Sequence, residues 1–280
     1  MTRAVNVTGP IAHHAEGPVW SDEWGGLRWV DLMAGDLLTL RGDRVDRLHV
    51  GSVAAFHRPR AGGGFVVALE RGLGVAETTD GPVKALPELW SDKGIRFNDG
   101  GCSPAGTLYG GTMAYDGARG RGTLYRFDRD LRPEMVIENV TTSNGIGWSP
   151  DGSLAYYNDT PTGQVDVLDN VDDRLLNRRR FVRVEGGLPD GLTVDAEDGV
   201  WVALWGGAAV HRYSPDGRLS EVVDLPVSQV SACTFGGDGL GTLFVTTSAE
   251  NLPEGAEPEA GSVYAVEPGV RGLPVTPWAG

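Results

Sequence analysis

Six times along this chain a short apolar stretch runs into a turn built on glycine and resumes as a second stretch rich in β-formers. The copies occupy residues 18–31, 56–69, 101–112, 146–159, 192–204 and 234–247, and their turn glycines, Gly26, Gly63, Gly106, Gly152, Gly199 and Gly241, stand 37 to 47 residues apart. Behind each copy comes a further strand-like piece, at 37–40, 74–77, 124–127, 164–168, 210–213 and 262–266. Alternation such as Leu124-Tyr125-Arg126-Phe127 marks these as strands, and no 3.6-residue period is sustained. Repeats of about 40–50 residues built from four strands specify a β-propeller, which closes radially and leaves few exposed edges. A β-helix repeat is shorter, and a β-sandwich need not repeat. The expectation is an all-β fold, a six-bladed propeller with four-stranded antiparallel blades spanning 1–280 as one domain. The N-terminal segment 4–7 would close the ring by pairing with the last blade near 262–266.

Forty-two glycines and seventeen prolines spread along the whole length suit a turn-rich globular chain. A formal charge of -14 excludes a phosphate-binding surface, so no nucleic-acid partner is expected, and the one dense basic run, Arg178-Arg179-Arg180, reads as a solvated face. No stretch approaches the roughly 18 apolar residues of a membrane span. The first residues, Met1 to Asn6, lack the apolar run of a signal peptide, which implies a cytoplasmic protein with no membrane partner, a monomer or a weak homo-oligomer. Cys102 and Cys233 have neither disulfide-framework nor zinc-site spacing and are expected as small buried thiols. Serine-nucleophile elbows, phosphate loops and dinucleotide fingerprints are absent from the sequence.

Oxygen-bearing side chains recur at one register of the repeat. Glu16-Gly17, Asn98-Asp99-Gly100, Asn144-Gly145 and Asp190-Gly191 each lie eight to ten residues before a turn glycine. Asx-Gly pairs are common turn dipeptides, but four in register, one of them led by a glutamate, point to a shared focus. In a propeller, equivalent positions on the innermost strands face one another across the central channel. Two carboxylates and two amide carbonyls make an all-oxygen set suited to a hard divalent cation. The adjacent glycines would let backbone approach a ligand closely. The two remaining copies, approached at 54–57 and 231–233, carry no carboxylate and would leave one side of the mouth open. Arg96 lies two residues before Asn98, on the same side of an extended strand, where its guanidinium could meet a substrate oxygen or pair with a neighbouring carboxylate. Asp116 is a polar candidate at a loop end. His13, His14, His49, His57 and His211 are expected at the surface or in structural roles, since an adjacent pair cannot face one point and the others fall outside the register.

At these residues the chain resembles the SMP-30/gluconolactonase/regucalcin-like family over nearly its full length. The stretches carrying the resemblance are Ala15-Glu16-Gly17-Pro18-Val19-Trp20, Arg96-Phe97-Asn98-Asp99-Gly100, Gly111-Thr112-Met113-Ala114, Ser143-Asn144-Gly145, Pro189-Asp190-Gly191 and Cys233-Thr234-Phe235-Gly236-Gly237. The resemblance implies a hydrolase of sugar lactones needing one divalent cation, Ca2+ foremost, with Mg2+, Mn2+, Zn2+ or Fe2+ as alternatives. It implies Glu16, Asn144 and Asp190 as metal ligands, Asp190 also as the catalytic carboxylate, and Arg96 and Asn98 as substrate-binding residues, with Asn98 able to reach the cation directly or through water. Where the regucalcin branch carries a sugar-binding glutamate after Gly-Thr-Met-Ala, this chain has Tyr115-Asp116, and Asp116 is the shorter carboxylate that would bind substrate. Alternative functions are a metal-dependent esterase or phosphotriesterase on the same scaffold, or a calcium-binding propeller without catalysis.

Overall fold

The computed structural model describes residues 3–280; Met1 and Thr2, where the segment read for a targeting signal begins, lie outside it. Each repeat folds into one antiparallel sheet of four strands, six sheets in all among the described residues. The first strands of the sheets are Ala15–Ser21, Phe56–Pro59, Ile95–Cys102, Ser143–Trp148, Leu188–Val194 and Val230–Gly236, which head blades 1 to 6. Each packs against the first strands of both neighbouring blades, and the last returns to the first, so they form a closed inner ring. Blade 6 takes its outermost strand, Val5–Asn6, from the other end of the chain, with Val5 opposite Ala265 and Asn6 opposite Tyr264. This is the closure the sequence implies, and it leaves no unlinked gap between first and last blades. No helix among the described residues is long and apolar enough to cross a membrane.

Large apolar side chains fill the wedges between blades, as where Phe56 of blade 2 meets Phe97 of blade 3 edge to face at 6.0 Å. Cys102 and Cys233 are free and buried, as expected. The chain then ends in a strap with no counterpart in the repeat. It leaves blades 5 and 6 through Ala196 N–H to Arg271 C=O (2.8 Å) and Gly272 N–H to Leu240 C=O (2.9 Å). It docks on blades 2 and 3 through Trp278 N–H to Pro59 C=O (2.8 Å) and Ala279 N–H to Gly106 C=O (2.9 Å). Between Leu273–Pro277 and the C-terminal ends of the inner strands lies a cavity of about 480 Å³, bordered by Arg58, both cysteines, Trp20, Trp148 and Phe235.

The inner strands share one irregularity. Pairing with the second strand slips between Glu16 and Val19, Phe97 and Gly100, Ser143 and Ile146, Pro189 and Leu192, and Val230 and Ala232, a β-bulge in five of the six blades. A bulge adds a residue to one strand and re-aims the side chains beside it. These bulges fall on the register occupied by Glu16, Asn98, Asn144, Asp190 and Ser231, whereas blade 2 pairs without a slip. Two of the glycines that follow are required by the ring itself. A Cβ on Gly145 would sit 2.5 Å from Leu192 N, and one on Gly191 would sit 2.4 Å from Ala232 Cβ, each on the neighbouring blade. Gly145→Ala is accordingly expected to lower stability by ~1–3 kcal/mol, the usual penalty of overpacking against a stiff neighbour; thermal unfolding checks it, and an unchanged melting temperature would refute the inter-blade role.

Candidate functional site

The bulges gather Glu16, Asn98, Asp99, Asn144 and Asp190 at the N-terminal ends of the inner strands, all of them buried. Glu16 Oε2 accepts the Gly17 N–H at 2.7 Å, and Asp99 Oδ1 accepts the Gly100 N–H at 2.7 Å. Asn144 Nδ2 donates to Asp190 Oδ1 and, at 3.0 Å, to Thr160 Oγ1. With the amide nitrogen so committed, Asn144 Oδ1 is left buried without a partner, which is costly unless something else completes it. Asn158 Nδ2 fixes the Asp190 backbone by donating to its carbonyl at 2.5 Å.

Three carboxylates share this enclosure, offset only in part by Arg96 acting on Glu16 and Arg58 on Asp99. Burial pushes Glu16 up to about 8, and the neighbouring Asp99 charge adds to the effect. Asp190 is raised well above the ordinary carboxylate range by burial, then by Glu16 and Asp99. Burial raises Asp99 as well, with Arg58, on the strapped side of the channel, opposing it. A divalent cation would relieve this repulsion, and an unpartnered amide oxygen beside two carboxylates is the donor set a hard cation takes. Among the described residues no three His, Cys, Asp or Glu side chains are arranged as a metal cluster, so any such centre draws on an amide. Glu16, Asn144 and Asp190 fit that requirement.

One level outward, toward the rim, lie the residues two positions earlier on the same strands: His14, Arg96, Thr142, Leu188 and Gln229. Arg96 is buried, and its Nη1 donates to Asn98 Oδ1 at 2.7 Å and to the Phe97 carbonyl at 2.9 Å, leaving Nε without a partner. Asn98 Nδ2 in turn donates to the Ser143 carbonyl at 3.0 Å, so Asn98 clamps the guanidinium to blade 4. Tyr115 lies against Arg96, with the guanidinium carbon 5.7 Å from the ring centroid, and its hydroxyl donates to Glu70 Oε1 at 2.8 Å. Asp116 is exposed and caps its own turn by accepting the Ala118 N–H at 3.0 Å. Among the described residues no hydrogen bond or ion pair joins Asp116 to Arg96, Asn98 or the carboxylates, and it follows directly on Tyr115, the side chain that lies against Arg96.

The sequence reading missed Asp99, Tyr115, Glu250 and His14. His13 is exposed, but His14 is buried beside the mouth, its Nδ1 2.7 Å from Ser248 Oγ and 3.5 Å from Glu250 Oε2. Burial, then the Arg96 charge, lowers its pKa to about 3. A usable signal existed: His14 precedes Glu16 by the same two residues that separate Arg96 from Asn98. Ser248 is fully buried, so the contact with His14 does not expose a nucleophile. The two copies without a carboxylate are blades 2 and 6, which flank blade 1 and are not neighbours, and blade 6 supplies Gln229, Ser248 and Glu250 to the rim. No single open side results.

The profile of the SMP-30/gluconolactonase/LRE-like region matches residues 14–249, from the His14 rim position to the loop that carries Glu250. The chain belongs to that family. It is similar to regucalcin from Sus scrofa, 33% identical over 96% of this chain and 95% of the relative. It is also similar to 6-deoxy-6-sulfogluconolactonase from Pseudomonas putida, 34% identical over 95% of this chain and 94% of the relative. Among solved structures it superposes on a calcium-binding protein, regucalcin, from Agrobacterium tumefaciens with a TM-score of 0.91, at 26% identity over 99% of this chain and 97% of that one.

Proposed function

We propose that this protein hydrolyses a sugar lactone to the corresponding sugar acid at the inner-ring mouth, with one divalent cation held by Glu16, Asn144 and Asp190. The observation that carries the reading is the pairing of an unpartnered, buried Asn144 Oδ1 with two buried carboxylates whose charges oppose each other, in a family whose relatives include a named lactonase. When bound, the cation would supply Lewis-acid polarisation of the lactone carbonyl, and Ca2+ suits an all-oxygen donor set.

The chain's own residues supply the rest. Asp190 accepts a proton from the water as its oxygen adds to the carbonyl carbon, a general-base contribution of about 10²–10⁴-fold. In the metal-free enclosure burial raises the proton affinity of Asp190; with a cation bound that rise is offset and the carboxylate stays ionised, ready to accept the proton. Asn144 holds the carboxylate's other face and Asn158 holds its backbone, so the base is oriented before substrate arrives. Arg96, clamped by Asn98, offers its free donors to a substrate oxygen. As the tetrahedral intermediate collapses, the ring C–O bond breaks, and the released alkoxide oxygen takes up the proton abstracted from water.

The test is a metal-stripped protein given single cations in turn and assayed on aldonolactones, aryl esters and organophosphates. Lactones should be favoured by orders of magnitude. A preference for phosphotriesters would move the assignment to the esterase reading, and no turnover with any cation would leave only a binding propeller.

A further inference from the structure

At the rim, His14 is buried and held by a hydrogen bond from the neighbouring blade. Ser248 Oγ sits 2.7 Å from His14 Nδ1, accepts the Glu250 N–H at 2.9 Å, and lies 3.5 Å from the His13 carbonyl. A hydroxyl has one proton to give. The short contact to Nδ1 is the better destination, because the alternative acceptor lies at the limit of hydrogen-bond range. Nδ1 is then an acceptor, and the imidazole carries its proton on Nε2. Glu250 Oε2, at 3.5 Å from Nδ1, is too distant to compete with Ser248.

Among the described residues Nε2 has no hydrogen-bond partner, and it is not one of the fully buried polar atoms, so it keeps some exposure to solvent. Its direction follows from the strand: His14 and Glu16, two residues apart, point to the same side of extended backbone, as Arg96 and Asn98 do. Trp205 stands edge-on to the ring, with centroids 5.7 Å apart, and limits its rotation.

We propose that His14 is a substrate-recognition residue, held by Ser248 so that Nε2–H donates to a hydroxyl or ring oxygen of the bound lactone from blade 1, while Arg96 holds the ligand from blade 3. The inference rests on the lactonase reading. It assigns the rim two donors of different kinds, a charged fork and a single neutral N–H, which suits a ligand rich in hydroxyl groups and carrying no obligatory second charge.

The experiment is steady-state kinetics on gluconolactone with the cation-loaded protein. His14→Leu should raise KM roughly three- to tenfold, the loss of one neutral hydrogen bond, with kcat changed less than KM. His14→Gln, whose amide returns an N–H near the Nε2 position, should recover most of that affinity. Ser248→Ala, which leaves the imidazole in place but frees Nδ1, should raise KM in the same direction. His13→Leu, one residue away and exposed, serves as the control and should leave KM unchanged. An active wild type whose KM is untouched by His14→Leu overturns the proposal, as does an equal rise for Leu and Gln, which would reduce His14 to a packing residue. A wild-type protein that hydrolyses no lactone overturns instead the reading on which the proposal rests.

Discussion

Asp190→Asn is expected to keep its fold and lose its chemistry, with lactone kcat down by at least about 10²-fold, the smaller end of a general-base contribution. The substituted amide keeps an oxygen for the Asn144 Nδ2 contact and leaves the Asn158 hydrogen bond to the backbone carbonyl in place. It also removes the carboxylate against which the Glu16 and Asp99 charges press. The metal-free variant should therefore melt at the same temperature as the parent or higher. That combination separates a functional carboxylate from a structural one, since a structural aspartate lost from a buried site lowers stability. Near-parental kcat with the cation present would sink the assignment of Asp190.

Removing the cation should have the second largest effect, and it should show in stability as well as turnover. Burial and Asp99 raise the Glu16 pKa from 4.5 to about 8 in the metal-free protein. A group raised on folding binds its proton more tightly in the native state, so its contribution is fully present below 4.5 and is lost as pH climbs through 8. Asp190 shifts in the same direction. His14 and His57 act oppositely: burial depresses both, so the stability they contribute is present above 6.5 and falls away as pH drops below it. Between about pH 7 and 9 the histidines are largely neutral folded or unfolded; up to about pH 8 the carboxylates dominate the slope, and nearer about pH 9 the thiols of Cys102 and Cys233, also raised by burial, add to the decline. Thermal unfolding of chelator-treated protein should show a melting temperature that declines across that window. Saturating Ca2+ should abolish the decline, because cation binding displaces the protons. A chelated protein that grows more stable from about pH 7 to 9 would contradict the shared carboxylate enclosure.

The propeller was legible because each blade repeats one hairpin, and the recurrence of Gly26, Gly63, Gly106 and Gly152 at positive φ records that turn directly. Family membership was legible from the ordered motifs. The interior of the site was only half legible. Strand alternation sends Asp99 away from the side that holds Asn98, yet the bulge between Phe97 and Gly100 brings both into the enclosure. A bulge leaves no mark in composition. Nor does a sequence show that Gly145 and Gly191 are also required by packing, because the adjoining blade lies against them. Asp116 is legible from its place after Gly-Thr-Met-Ala, but that Tyr115, one residue earlier, lies against Arg96 is not. Glu250 enters from a loop, and the strap at 271–279 has neither alternation nor repeat to announce it. Adjacency tells that His13 and His14 cannot share a direction, but not which of the two is the buried one.

The strand Val5–Asn6 pairs with residues more than 250 positions later in the chain. During synthesis, blades 1 to 5 can each form their own sheet from local segments, but Glu16 has only one of its two neighbouring inner strands until Val230–Gly236 has been made. The carboxylate enclosure therefore comes into existence last, when the ring shuts, and a chain ending short of blade 6 carries all the proposed ligands without a place to hold a cation. Cation binding would thus report whether the molecule has been finished.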